Sequence, residues 1–218
     1  AQAVLERGGN AFDAATAAGF VLHVVEPHLN GPGGDMVAMV APAGEPVQVL
    51  CGQGPAPAGA TIDHFRAEGL SAVPGAGALA AAVPGAVDAW LLLLRDHGTW
   101  HLEDVLAYAI EYAEDGHPIL AGTCAVIDEV RDLFTTHWPT SAQIWLRGGQ
   151  APRAGDLVAN PAYAGVLRRL VSDTAAVSGR RERIDAARRA WREGFVAEAV
   201  ERFVADTPHR HATGGDHR

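Results

Sequence analysis

The hydrophobic pattern opens with a run that has almost no polar face. Residues 12–25, FDAATAAGFVLHVV, are interrupted only by Asp13, Thr16 and His23. A helix that is apolar all round packs on more than one side, and Ala14, Ala15, Ala17, Ala18 and Gly19 let its neighbours come close. Asn10 supplies the cap, and Asp13, three residues on, can return the bond. Pro27 denies Glu26 helical geometry and so ends the helix. The glycines of NGPGGD (30–35) then turn the chain into a strand over 35–41. The near-continuous apolar run of that strand suits burial on both faces. PAGEP (42–46) makes a turn and 47–51 returns, giving a hairpin that needs a larger sheet for stability.

Downstream the period is helical. A short helix over 62–68 is capped by Thr61, and the small-residue stretch 71–82 is irregular. Pro84 takes the first position of a helix over 85–96, where Leu91, Leu92, Leu93 and Leu94 cannot all face one side, so this helix is deeply buried. Leu102, Val105, Leu106, Ala109 and Ala113 form the stripe of the next helix, which ends at Gly116 and Pro118. Leu120, Cys124, Ile127, Val130 and Phe134 mark another, reaching Trp138-Pro139. Asn160-Pro161 caps a helix over 162–171. Ile184, Ala187 and Trp191 mark one more, and Phe195 to Val204 the last. With the opening AQAVLER, closed by Gly8, the pattern predicts two strands and about nine helices: an α+β chain that is predominantly helical. The expected organisation is one partial domain over 1–218. Residues 1–60 give the first long helix and the hairpin, 61–206 a helical lobe, and 207–218 a polar, His-rich tail that frays.

Composition narrows the class. The chain has 218 residues and 48% hydrophobic content, enough for a substantial core. Its net charge is −9 and every basic residue is Arg, a balance that argues against general binding to nucleic acid or to an anionic membrane. Two cysteines, Cys51 and Cys124, cannot build a disulfide framework. No apolar run is long enough to span a membrane, and no basic-then-apolar leader precedes the first helix. The sequence starts without Met and inside a helix, so it reads as a fragment, with the compartment left open between cytoplasmic and exported.

Five stretches in order carry a family resemblance: GGNA with DAA (8–15), EPH (26–28), the corner at 31–34, VPG (83–85), and Gly98-Thr99 followed by 102–116. Together, to about Val204, the chain resembles the large-subunit start of the gamma-glutamyltranspeptidase family. The resemblance implies an N-terminal-nucleophile hydrolase with two sheets stacked between helical layers (αββα). This chain would hold the large-subunit helices and one hairpin. In such enzymes a self-cleaving precursor exposes a threonine at the start of a small subunit. Its hydroxyl attacks an amide with its own amine as base, and water or an acceptor amine takes the acyl group. The resemblance therefore implies no catalytic residue in this chain, no metal and no cofactor. It implies a small-molecule amide substrate and, as partner, the small subunit of the same precursor in a hetero-oligomer.

Alignment of Ala56-Pro57-Ala58 and Ala60-Thr61 with the family puts Gln53 where the family has an arginine that grips the α-carboxylate of the donor. A neutral amide holds carboxylate more weakly than a bidentate guanidinium, so the acyl pocket is expected to suit a different group. The plainer reading is that Gln53 braces its loop. Other candidates read as structural. The glycine corner precedes a strand and lacks a phosphate-loop pattern. His23 reads as a hydrogen-bonded core residue, His97 and His101 are split by a turn, and His209, His211 and His217 lie in the tail. Ser71, Ser141, Ser172 and Ser178 lack a nucleophile-elbow context. Arg180, Arg181, Arg183, Arg188, Arg189 and Arg192 interleave with Glu182, Asp185 and Glu193 and predict a solvated helix face with pairs along the helix. The rival to an enzyme is a non-catalytic helical module that binds a partner.

Overall fold

The computed structural model describes residues 1–206, 209–210 and 216–217. A short first helix, α1 (Gln2–Glu6), leads through Gly8, at φ 88°, into α2 (Ala11–Val25). The capping box forms as expected: Asn10 Oδ1 accepts from the amides of Phe12 and Asp13, and Asp13 Oδ2 accepts from the Asn10 amide. After the glycine corner, β1 (Val37–Val40) and β2 (Gln48–Cys51) pair as an antiparallel hairpin, with Val37 opposite Cys51 and Met39 opposite Val49.

Helix α3 (Ile62–Ala67) is capped by the Thr61 hydroxyl, and a single 3₁₀ turn at Ala78–Ala80 is the only regular piece in the stretch expected to be irregular. The long helices α4 (Ala86–His97) and α5 (Leu102–Asp115) follow. Strand β3 (His117–Pro118) pairs with β4 (Leu157–Val158), and between them lie α6 (Ala121–Glu129), α7 (Arg131–His137) and α8 (Pro139–Trp145). Asn160 caps α9 (Pro161–Asp173) by accepting from the Tyr163 amide, and α10 (Arg180–Arg192) and α11 (Phe195–Asp206) complete the helices. In the tail, β5 (His209–Arg210) pairs with β6 (Asp216–His217), a contact not foreseen in a segment expected to fray. His211 lies outside the described residues.

The core is a stack of long helices. Phe20 of α2, Leu91 and Leu94 of α4, Leu102 and Leu106 of α5, Leu167 and Leu170 of α9 and Ile184 of α10 form one fully buried cluster. Each such side chain stabilises the fold by about 1.5–3 kcal/mol. The leucine run of α4 is accommodated because the helix is covered on two sides. Leu91 and Leu94 enter this cluster, while Leu93 joins Met36, Val40, Ala86 and Ala89 in a second one under the hairpin. Trp90 lies against both clusters, and Gly19 of α2 is needed there because a Cβ would collide with its ring.

Several expectations are corrected. The hairpin is covered on one face only. Met36 and Val40 are buried towards α4, whereas Val37, Met39 and Val49 are 59%, 78% and 71% exposed, because alternation sends them to the other side. Helix α2 is less enclosed than its composition suggests, since Ala11, Ala15 and Leu22 remain exposed along one line. Pro84 precedes the cap residue Gly85 instead of opening α4. The single helix expected through Trp138 is two short ones, broken at Val130, and α8 is an unforeseen helix beyond Trp138, so the described residues contain eleven α-helices rather than nine. No described helix is long and apolar enough to cross a membrane.

Candidate functional site

Three glycine-containing stretches far apart in sequence meet at one junction. The end of the corner, the end of β2 and the approach to α4 are joined by backbone bonds. Met36 and Gly52 exchange both amide bonds, at 3.1 and 2.6 Å, and the Gly34 carbonyl accepts from the Gly85 and Ala86 amides at 3.3 and 3.2 Å. The Val83 amide donates to the Pro55 carbonyl at 3.0 Å. Glycine is required by the closeness of these backbones. A Cβ at Gly85 would strike the Gly52 carbonyl, and one at Gly54, where φ is +78°, would strike the Val83 carbonyl.

This junction carries Gln53. Both its neighbours are locked against other backbone, so the Gln53 side chain projects from a fixed base and is exposed. It lies two residues after Cys51, the last residue of β2. Cys51 is a free, exposed thiol, and its Sγ lies 3.7 Å from Gln53 Oε1.

The other conspicuous motif is structural. Asp13 is fully buried, and besides the Asn10 amide it accepts from the Thr99 amide at 2.8 Å, the Thr99 hydroxyl at 2.7 Å and the Trp100 amide at 3.0 Å. Burial alone would raise its pKa, but these donors outweigh burial and hold the carboxyl below its ordinary value. Asn10 Nδ2 donates to the His97 carbonyl at 2.7 Å. The start of α2 is thereby tied to the α4–α5 turn.

The remaining candidates disperse. His23 is buried, with Nδ1 3.2 Å from the Tyr163 hydroxyl, which fits the expected core role. His97 packs on the Phe12 ring, and His101 is an exposed N-cap. Ser172 donates to the Arg169 carbonyl. Among the described residues no group of three His, Cys, Asp or Glu is arranged to hold a metal ion. A shallow depression between α5 and α9, floored by Ala107, Ile110 and Val171 and crossed by the Glu114–Arg168 ion pair, contains no residue of the Gln53 loop.

Most arginines of α10 are occupied, but chiefly between helices, not along their own as expected. Arg188 grips Asp88 of α4 through two bonds of 2.8 and 3.2 Å, and Arg183 donates to Glu103 of α5 at 2.7 Å. Arg180 donates to the Leu94, Arg95 and Trp100 carbonyls, satisfying the exposed end of α4. Only Arg188–Asp185 is a pair at helical spacing on α10 itself.

Comparison with known proteins bears on this arrangement. Residues 1–212 match the family described as gamma-glutamyltranspeptidase. The oxamate amidohydrolase proenzyme of Klebsiella pneumoniae is 38% identical over 184 residues, which cover 79% of this chain and 33% of that protein. The glutathione hydrolase-like YwrD proenzyme of Bacillus subtilis is 38% identical over 155 residues, covering 70% of this chain and 29% of that protein. The solved structure of LmbA2991HD superposes with a TM-score of 0.94 at 56% identity, over 99% of this chain and 37% of that one. The chain spans about a third of the length of these relatives.

Proposed function

This chain belongs to the gamma-glutamyltranspeptidase family, and from that premise we propose that it is the large-subunit part of an amidohydrolase or acyltransferase whose acyl pocket is built around Gln53. Its helices and hairpin have the fold of the helical part of N-terminal-nucleophile hydrolases. In this reading a threonine from sequence beyond these residues attacks the substrate amide, its own amine takes the proton, and an acyl-enzyme forms and is released to water or an amine. The small subunit that carries the threonine covers the open face of the hairpin.

One observation carries the reading. Gln53 stands on a clamped loop at the strand end where the family resemblance calls for an arginine, and its side chain is exposed at the border of the open face. A guanidinium would pair with a free α-carboxylate in fork geometry, and a carboxamide cannot. The acyl group is therefore one without a free α-carboxylate. Relatives named for oxamate and for glutathione cleavage are consistent with a scaffold that serves more than one amide.

The test is an assay of the full-length, processed protein on p-nitroanilides. Neutral acyl anilides are expected to be cleaved with higher kcat/KM than γ-glutamyl anilide. Gln53→Arg is expected to shift the ratio towards the glutamyl donor by about tenfold, the scale of one charge-assisted hydrogen bond. A strong wild-type preference for the γ-glutamyl donor would end the proposal.

A further inference from the structure

We propose that the groove between α5 and α9 binds a linear aliphatic polyamine, a chain of ammonium groups spaced by short runs of methylenes. The groove has a volume of about 610 Å³, within the range of small-molecule sites. Its floor is apolar: Ala107 and Ile110 come from α5, Val171 and Ala175 from α9. Its rim is acidic. Glu103, Glu111, Glu114 and Asp115 border it from α5, and Arg168 of α9 is the one cation among its lining residues.

The fold leaves this negative charge uncompensated. Arg168 is engaged by Glu114. Glu103 accepts from Arg183 through Oε1 at 2.7 Å, but its Oε2 is buried with no hydrogen-bond partner. Among the described residues neither Glu111 nor Asp115 joins an ion pair, and like charges four apart on a helix repel. Both also crowd the negative end of the α5 dipole, whose last turn has no basic residue. A metal ion would need these carboxylates gathered at one point, and no three of the described acids, histidines or cysteines are so arranged. They are strung out instead: Glu111 and Asp115 lie about 6 Å apart along the axis, and Glu103 about 12 Å beyond Glu111. Spread charge beside an apolar floor calls for a spread cation with apolar spacers. Its methylenes lie on Ala107, Ile110 and Val171, and its ammonium groups reach the carboxylates at either end. A second copy of this chain would bring the wrong charge, since the exposed side of α11 offers Glu198, Glu201 and Asp206 against Arg202 alone.

The experiment is calorimetric titration of the full-length processed protein with spermidine and with hexaamminecobalt(III). Both carry three positive charges, and only spermidine has a methylene chain. Spermidine is expected to bind at one site about tenfold more tightly, the gain from burying two of its methylenes. In E111Q/D115N its affinity falls about tenfold, the scale of two exposed ion pairs. E198Q/E201Q, on α11, leaves it unchanged. Because E111Q/D115N removes a repulsion, the unliganded variant is expected to melt no lower than wild type. A107R, at an exposed position of the floor, independently weakens binding by as much. Equal affinity for the two cations would show diffuse attraction to an acidic surface only, and overturns the proposal. So does the absence of saturable spermidine binding, or an affinity that neither E111Q/D115N nor A107R alters.

Discussion

Asp13 and His23 lie ten residues apart on one helix and show how differently single residues can be read. The Asn10–Asp13 capping box is visible in sequence because its bonds are local. The ties from Asp13 to Thr99 and Trp100 are not, because nothing in a sequence pattern joins positions more than eighty residues apart. His23 was legible as a core histidine from its apolar surroundings, but not its partner Tyr163 on α9. Burial pushes the His23 imidazole from its ordinary 6.5 down to about 4. The unfolded chain therefore binds this proton at higher pH than the folded one. The contribution to stability is whole above pH 6.5 and drains as pH falls towards 4, by about 3 kcal/mol in all. His23→Phe is expected to remove that part of the slope when urea midpoints are measured across this window. Parallel pH profiles for variant and wild type would refute it.

At the scale of elements, the long helices were legible because period and caps agree, as with Asn160-Pro161 before α9 and Gly98 after α4. The break at Val130 was not, because the apolar period runs on through Phe134 and neither Gly nor Pro marks the place. The hairpin was placed correctly but its burial was misjudged, since an apolar run reads the same whether its second face meets protein or not. The three-way glycine junction was invisible for the same reason as the Asp13 ties. Each stretch looked like a separate turn. The structure distinguishes glycines that the sequence cannot. Gly54→Ala forces a Cβ into the Val83 carbonyl at positive φ and is expected to cost about 3 kcal/mol or more, whereas Gly59→Ala, with open space and ordinary φ, changes stability by less than about 0.5 kcal/mol. Thermal melts of the two variants check this, and equal melting temperatures would contradict it.

For the whole molecule, the arginine-rich helix looks in sequence like a solvated face, and the structure gives most of its arginines a different task. Arg180, Arg183 and Arg188 fasten α10 to α4 and α5. One architectural detail has a consequence for how the chain tolerates change. The stretch containing α6 to α8 leaves and re-enters through a narrow waist. His117 faces Val158 in β3–β4, Ile119 exchanges bonds with Gly155 and Asp156, and the Asn160 amide meets the Ala113 carbonyl at 2.7 Å. Loop closure depends only weakly on length, so a short Gly-Ser bridge in place of residues 120–154 is expected to keep one cooperative unfolding transition, at a cost of about 2 kcal/mol for the buried Ile127. Urea unfolding followed by circular dichroism tests it, and loss of cooperativity would show the waist to be insufficient. The molecule thus carries a seam: sequence can be spliced out or in beyond it while α5 and α9 go on gripping one another.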